Sequence, residues 1–200
     1  MLRSEVPIHE TLGAMEELVE AGKVRFIGVS NFSRAELKAA QQAMRKYRIV
    51  SNQVRYSLVD RTIEAELLSY CQANQVSVIA YSPLARGLPR LLDCDPKGIL
   101  AEIAQATGKT RVQVAINWLL CKDGVFAIPK GNSIEHVVEN CGASGWRLGT
   151  EHLRLLEENI KCNRRSHLQM VLRRLIPSSL SGITLKCINA LPRSLKRRFR

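Results

Sequence analysis

Residues 128–140 read IPKGNSIEHVVEN: an apolar run from Val125 to Ile128 ends, turns through Pro129, Lys130 and Gly131, and enters an apolar-periodic segment after Ser133. A lysine beside a helix N-terminus is a place for an anion, because unpaired backbone N–H groups and the positive end of the helix dipole both favour negative charge there. Three other apolar runs end in polar, ligand-capable groups. Ser30 and Asn31 follow VRFIGV (24–29), Asn52 and Gln53 lie in IVSNQV (49–54), and Tyr81 and Ser82 close VSVIAY (76–81). The starts of these runs carry nothing comparable.

Strands and helices must hold these groups. The four runs, 24–29, 49–54, 76–81 and 125–128, read as short β-strands. Helical patterns lie between them. In 11–20, Leu12, Met15, Leu18 and Val19 share one face, and Gly22 follows as a C-terminal cap. Ser33-Arg-Ala-Glu36 is a capping box for a helix over 34–47, with Leu37, Ala40 and Met44 inward. A helix over 62–73 presents Ile63, Leu67 and Cys71. Asp95-Pro96 reads as cap and first-turn proline of a helix over 96–107 that stops at Gly108. Thr110-Arg-Val-Gln113 is a second capping box, opening 111–121, and further helices fall near 134–141 and 151–160.

Strands alternating with helices predict an α/β fold of parallel βα units. The first two strands begin 25 residues apart and the next 27, about one such unit each. No GxGxxG turn follows any strand, which argues against a Rossmann dinucleotide fold. In a barrel of βα units the site lies at the C-terminal ends of the strands, where the polar groups cluster; ordinary turn chemistry also puts polar residues there, and the pattern alone leaves both readings open.

The 200-residue chain is long enough for one domain with a real core. It contains no apolar run long enough to span a membrane, and MLRSEVPIHE lacks the apolar segment of a signal peptide, so a cytoplasmic location is expected. Six scattered cysteines without a CxxC point to reduced thiols rather than to zinc or a disulfide framework. The net charge of +12 is uneven. Residues 161–200 hold 11 of the 30 basic residues and none of the 18 acidic ones, which leaves 19 against 18 in residues 1–160. The sequence therefore divides at 160 into a near-neutral globular part and a basic tail. LQMVLRRLI (168–176) in that tail has the pattern of a short amphipathic helix. Anionic-lipid contact, nonspecific nucleic-acid contact and a solvated extension all remain open for it, and no specific nucleic-acid partner is expected.

In order and spacing, GVSNFS (28–33), NQVRYS (52–57), AYSPLARG (80–87) and IPKGNSIEHVVEN (128–140) resemble the aldo-keto reductases. VPIHETLGAMEELVEAGKVRFIGVSNF (6–32) resembles them as a block, and the likeness covers roughly residues 5–160. The resemblance implies a partial (β/α)8 TIM barrel, strands 5–8 with their helices, in a family that reduces carbonyls with NADPH. By the same resemblance, Ser30, Asn31 and Gln53 are the groups that bond the nicotinamide carboxamide, and Asn and Gln side chains offer the donor and acceptor this needs. Tyr81 is the platform under the nicotinamide ring. Ser82, Leu84 and Gly87 line the pyrophosphate, with Arg86 either adding charge or merely solvated. Lys130, Gly131, Asn132 and Ser133 take the 2′-phosphate, and Glu139 and Asn140 the adenine. His136 stands where the family commonly has arginine. Histidine lacks arginine's fork and fixed charge, which removes about 1–2 kcal/mol of preference for NADPH and leaves NAD open.

The family's catalytic tetrad is tyrosine, lysine, aspartate and histidine. No counterpart is found in the sequence: Tyr47, Tyr56 and Tyr70 lie on the wrong elements, and Asp60, Asp93, Asp95 and Asp123 at caps and turns. Catalysis by this chain alone is then expected to be incomplete. The alternative is a nucleotide- or partner-binding pseudoenzyme or a gene fragment. A full barrel needs ~250 residues, so half a barrel is expected to pair with a second half-barrel chain or with itself.

Overall fold

The computed structural model describes residues 6–163. The chain divides into two units, Met1–Asn163 and Arg164–Arg200, and the second lies outside the described residues, as does the 168–176 amphipathic pattern. Both capping boxes form. The Glu36 N–H donates to Ser33 Oγ (3.3 Å) while Glu36 Oε2 accepts from the Ser33 N–H (2.8 Å). Gln113 and Thr110 repeat the exchange at 3.2 and 3.0 Å.

The elements run α1 (Ile8–Glu20), β1 (Ile27–Ser30), α2 (Arg34–Ala43), β2 (Ile49–Arg55), a 3-10 turn (Thr62–Ala65), α3 (Leu67–Ala73) and β3 (Ser77–Tyr81). Then follow α4 (Leu88–Asp93), α5 (Ile99–Thr107), α6 (Arg111–Leu120), β4 (Val125–Ile128), α7 (Ile134–Cys141) and α8 (Thr150–Asn159). The strands form one parallel sheet in the order β1-β2-β3-β4 with helices between them, an α/β fold consistent with the (β/α)8 barrel pattern. Register sets Ser30 beside Gln53, Arg55 beside Tyr81, and Tyr81 beside Ile128. Because the strands are parallel, all their C-terminal ends meet at one edge. The core lies between sheet and helices: Ile27, Ile49, Val78 and Val125 from the strands meet Leu37, Leu100, Trp118, Leu119 and Leu156.

Several elements differ from the sequence expectation: α1 begins at Ile8 rather than 11, and β1 spans Ile27–Ser30 rather than 24–29. α2 stops at Ala43 because the next turn is claimed by α1. The buried Glu16 carboxylate accepts the backbone N–H groups of Arg45, Lys46 and Tyr47 at 3.0, 2.8 and 3.0 Å, and these donors hold it below the ordinary carboxylate range. The 62–73 helix is broken at Glu66, whose φ of −150° is not helical. α5 starts at Ile99 rather than 96, because Gly98 adopts φ +71°. Asp95 still caps it, accepting the N–H groups of Ile99 (2.9 Å) and Leu100 (2.8 Å). The six-residue α4 after Gly87 is short enough to leave no readable periodicity.

The cysteines among the described residues are free, and burial pushes the Cys71 thiol up to about 11. Among the described residues no three His, Cys, Asp or Glu side chains converge on a metal-sized site, and no helix is long and apolar enough to cross a membrane.

Candidate functional site

Two adjoining groups of side chains form at the strand ends. The first joins β1, β2 and β3. Asn31 takes φ +61°, and its N–H donates to the Gln53 carbonyl (2.8 Å). Ser30 Oγ donates to the same carbonyl (3.1 Å), Asn31 Nδ2 donates to Ser30 Oγ (3.1 Å), and the Tyr81 hydroxyl donates to Asn31 Oδ1 (3.0 Å). Asn52, which the sequence groups with Gln53, is fully buried and faces elsewhere: its amide donates to the Phe32 carbonyl (2.9 Å) and accepts the Phe32 N–H (3.4 Å). It pins the loop that carries Asn31. The Gln53 side-chain amide has no hydrogen-bond partner among the described residues, so its donor and acceptor are both open.

The second group lines a cleft of about 580 Å³ between the loop after β3 and the turn after β4. Ser82, Leu84, Arg86 and Gly87 form one wall; Lys130, Asn132, His136, Glu139 and Asn140 form the other. Gly131 and Ser133 support the second wall instead of lining it. A Cβ at Gly131 would lie 2.6 Å from Val137 Cγ2, so glycine lets the turn close onto α7. Ser133 Oγ accepts the His136 N–H (3.3 Å) and caps the helix. The Glu135 carboxyl beside this cap is held below its ordinary range by the Ser133 hydroxyl, its own backbone N–H and His136. A carboxylate therefore already shares this helix start. Asn140 Nδ2 donates to the Lys130 carbonyl (3.4 Å), tying α7 back to the lysine.

Backbone conformation singles out this edge. Among the described residues, five that are not glycine have positive φ: Asn31, Gln75, Ser82, Ala85 and Arg86. Asn31, Ser82 and Arg86 stand in these two groups, and Ala85 lies in the same 82–87 loop. Left-handed backbone costs on the order of 1–3 kcal/mol at such a residue and persists where the surroundings enforce it, commonly at functional sites. The 82–87 loop is enforced by two successive turns, Ala85 N–H to the Ser82 carbonyl (2.9 Å) and Gly87 N–H to the Leu84 carbonyl (2.8 Å). Residue types give no warning of strain at Ala85 or Arg86, and sequence reading passes over it.

The aldo/keto reductase family profile matches residues 2–161. The methylglyoxal reductase YeaE of Escherichia coli is 37% identical over 149 residues, covering 74% of this chain and 52% of that protein. The chloroplastic pyridoxal reductase of Arabidopsis thaliana is 32% identical over 194 residues, covering 84% of this chain and 53% of that protein. An aldo-keto reductase from Klebsiella pneumoniae, solved with NADPH, superposes with a TM-score of 0.72 at 38% identity, over 82% of this chain and 57% of that one. The chain spans about half the length of the curated relatives it matches. It belongs to the aldo/keto reductase family, and its relatives include NADP(H)-binding reductases.

Two expectations are corrected. The family assignment is not limited to a C-terminal half over ~5–160; the match runs from residue 2 to 161 and takes in most of the chain. Nor is the tetrad region to be called absent: tyrosine, aspartate and lysine of such a set are present in the matched region as Tyr56, Asp60 and Lys97. Sequence reading set Tyr56 aside as lying on the wrong element and Asp60 as a cap or turn residue, and did not weigh Lys97. In the structure the Tyr56 hydroxyl donates to Glu64 Oε1 (2.8 Å), its ring meets Trp118 edge-on at 5.4 Å, and burial pushes the phenol above its ordinary range. Asp60 pairs with Arg55 at 2.7 Å, and Lys97 donates to Asn159 Oδ1 at 2.9 Å. No described hydrogen bond or ion pair joins the three to one another.

Proposed function

We propose that this member of the aldo/keto reductase family binds NADP(H) along the strand-end edge and serves the interconversion of a carbonyl and an alcohol. One observation carries the reading: Ser82 lines the cleft with Lys130, Arg86 and His136, and it directly follows Tyr81, whose hydroxyl bonds Asn31 of the first group. The donor set suits the ligand. Lys130 and Arg86 supply fixed positive charge for phosphate, with neutral donors at Ser82 and Asn132. Gln53 keeps a free amide for a carboxamide, and Tyr81 offers a ring held by its bond to Asn31. Glu139 and Asn140 supply polar groups for the base. The nucleotide, when bound, supplies the hydride; the chain's own residues orient it and screen its charge. His136 in place of an arginine makes the preference for NADPH over NADH small.

Methylglyoxal and pyridoxal, named by two relatives, are both aldehydes, and small aldehydes are the substrate class proposed here. A second reading, nucleotide binding without turnover, draws on the Tyr56 hydroxyl being buried and committed to Glu64. Exposed Phe26 beside β1 and Phe126 and Ile128 on β4 support a contact of the edge strands with a second chain, another copy or one carrying further strands. The test is a titration with NADPH followed by an assay with methylglyoxal. Saturable binding with aldehyde-dependent loss of reduced nicotinamide is expected. Binding without turnover favours the second reading, and a folded chain that binds no nucleotide overturns both.

A further inference from the structure

A second cleft, of about 300 Å³, opens on the far side of Arg86 and shares only Ser82 and Arg86 with the first. Four cations line it, Arg55, Arg86, Arg90 and Lys161, against one carboxylate, Asp60. Asp60 is spent on Arg55 at 2.7 Å. Arg86, Arg90 and Lys161 have no acidic partner among the described residues. Unbalanced charge of this kind around a concave surface attracts an anion and concentrates it there.

Backbone contacts set the chain positions that carry Lys161 and Arg86. The Lys161 N–H donates to the Cys94 carbonyl (2.8 Å), the Asn163 N–H to the Val59 carbonyl (2.8 Å), and the Arg61 N–H to the Asn163 carbonyl (3.0 Å). Residues 161–163 are thus stitched between the end of α4 and the loop after β2. Arg86 is set by its left-handed backbone. The order of the chain at Tyr81, Ser82 and Arg86 puts this cleft next to the groups proposed to hold the nicotinamide and its phosphates.

We propose that the second cleft takes the carboxylate or phosphate end of an acidic carbonyl substrate, so that this chain prefers aldehydes bearing an anionic group. The proposal deepens the reductase reading and rests on it for the identity of the ligand. It is separable from the nucleotide site, since Arg90 and Lys161 line the second cleft alone.

Calorimetric titration of the full chain with 4-oxobutanoate, butanal and NADPH tests it. Arg90→Gln/Lys161→Gln is the variant; both side chains are exposed, so the fold should be retained, and far-UV circular dichroism checks this. The expected result is that 4-oxobutanoate binds at least about tenfold more tightly than butanal, that the variant loses about tenfold of the acid's affinity, and that added salt weakens the acid alone. Arg90→Lys should keep most of it. NADPH affinity should stay within about twofold in the variant, each unit of charge contact being local. Equal binding of acid and butanal, or an unchanged acid affinity in the variant, overturns the proposal. A parallel loss of NADPH affinity also overturns it, assigning the cleft to the nucleotide. Arg90- and Lys161-dependent binding of the acid by a chain that binds no NADPH supports the anion site and overturns the nucleotide reading.

Discussion

At the strand ends, Asn31, Ser82, Ala85 and Arg86 sit in left-handed backbone, and Arg86 and Lys130 face open clefts. Around Trp118 the buried polar side chains are engaged. Arg61, only 1% exposed, donates to the carbonyls of Leu58 (2.9 Å), Glu157 (3.2 Å) and Leu156 (3.1 Å), and its guanidinium lies 4.8 Å from the Trp118 ring centre. That arrangement places a cation on the last carbonyls of α8, where the helix dipole favours it. Asn117, also fully buried, donates to the Ala143 and Trp146 carbonyls (2.9 and 2.8 Å) and accepts the Leu148 N–H (3.0 Å). The base is satisfied and the rim is not. A site needs open donors and enforced geometry, both of which cost stability; the closed hydrogen bonding beneath offsets that cost.

Breaking the base should therefore cost stability first. Arg61→Met leaves carbonyls without their donor and should lower unfolding free energy by about 3–5 kcal/mol, measured by urea denaturation. Asn117→Ala orphans two carbonyls and an N–H and should cost about 2–3 kcal/mol by the same measurement. Changes at the rim should act the other way. Lys130→Ala should weaken NADPH about tenfold while moving stability by less than about 0.5 kcal/mol. Ala85→Gly relieves a left-handed alanine and should raise stability by about 0.5–1 kcal/mol while loosening the loop, so that nucleotide affinity falls. A rim variant that unfolds the chain, or a base variant that alters only binding, would break the contrast.

The smallest effect concerns acid. The Glu16 carboxyl is held below its ordinary value of 4.5 by the N–H groups of Lys46, Tyr47 and Arg45. A depressed carboxylate stabilises the fold above its unfolded pKa, and that contribution is lost as pH falls through the lower folded value. Glu16→Gln should flatten the acid limb of the stability profile and leave the neutral region less changed, as read from thermal melts across pH.

Much of this was legible in the residues. Capping boxes at Ser33 and Thr110 report local hydrogen bonds between side chains three residues apart, so they can be read directly. The runs at 49–54 and 125–128 become strands nearly as spaced, because β-branched content and turn residues are also local. What was not legible depends on distant partners. Glu16 looks like any surface glutamate of an amphipathic helix until residues 45–47 turn toward it. Arg61 is buried only because α8, some ninety-five residues on, offers its carbonyls. The cleft lined by Arg90 and Lys161 needs residue 161 to return beside Cys94. Tyr56 and Asp60 were set aside on the element they occupy, a judgement that the family match reversed.

The most direct test of the central claim is calorimetric titration of the purified chain with NADPH, beside Lys130→Ala under the same conditions. Saturable binding at one site per chain, weakened about tenfold in the variant, is the predicted result. A folded chain with no heat of binding for NADPH, or with an affinity that Lys130→Ala leaves untouched, would contradict the assignment of the strand-end cleft to the nucleotide.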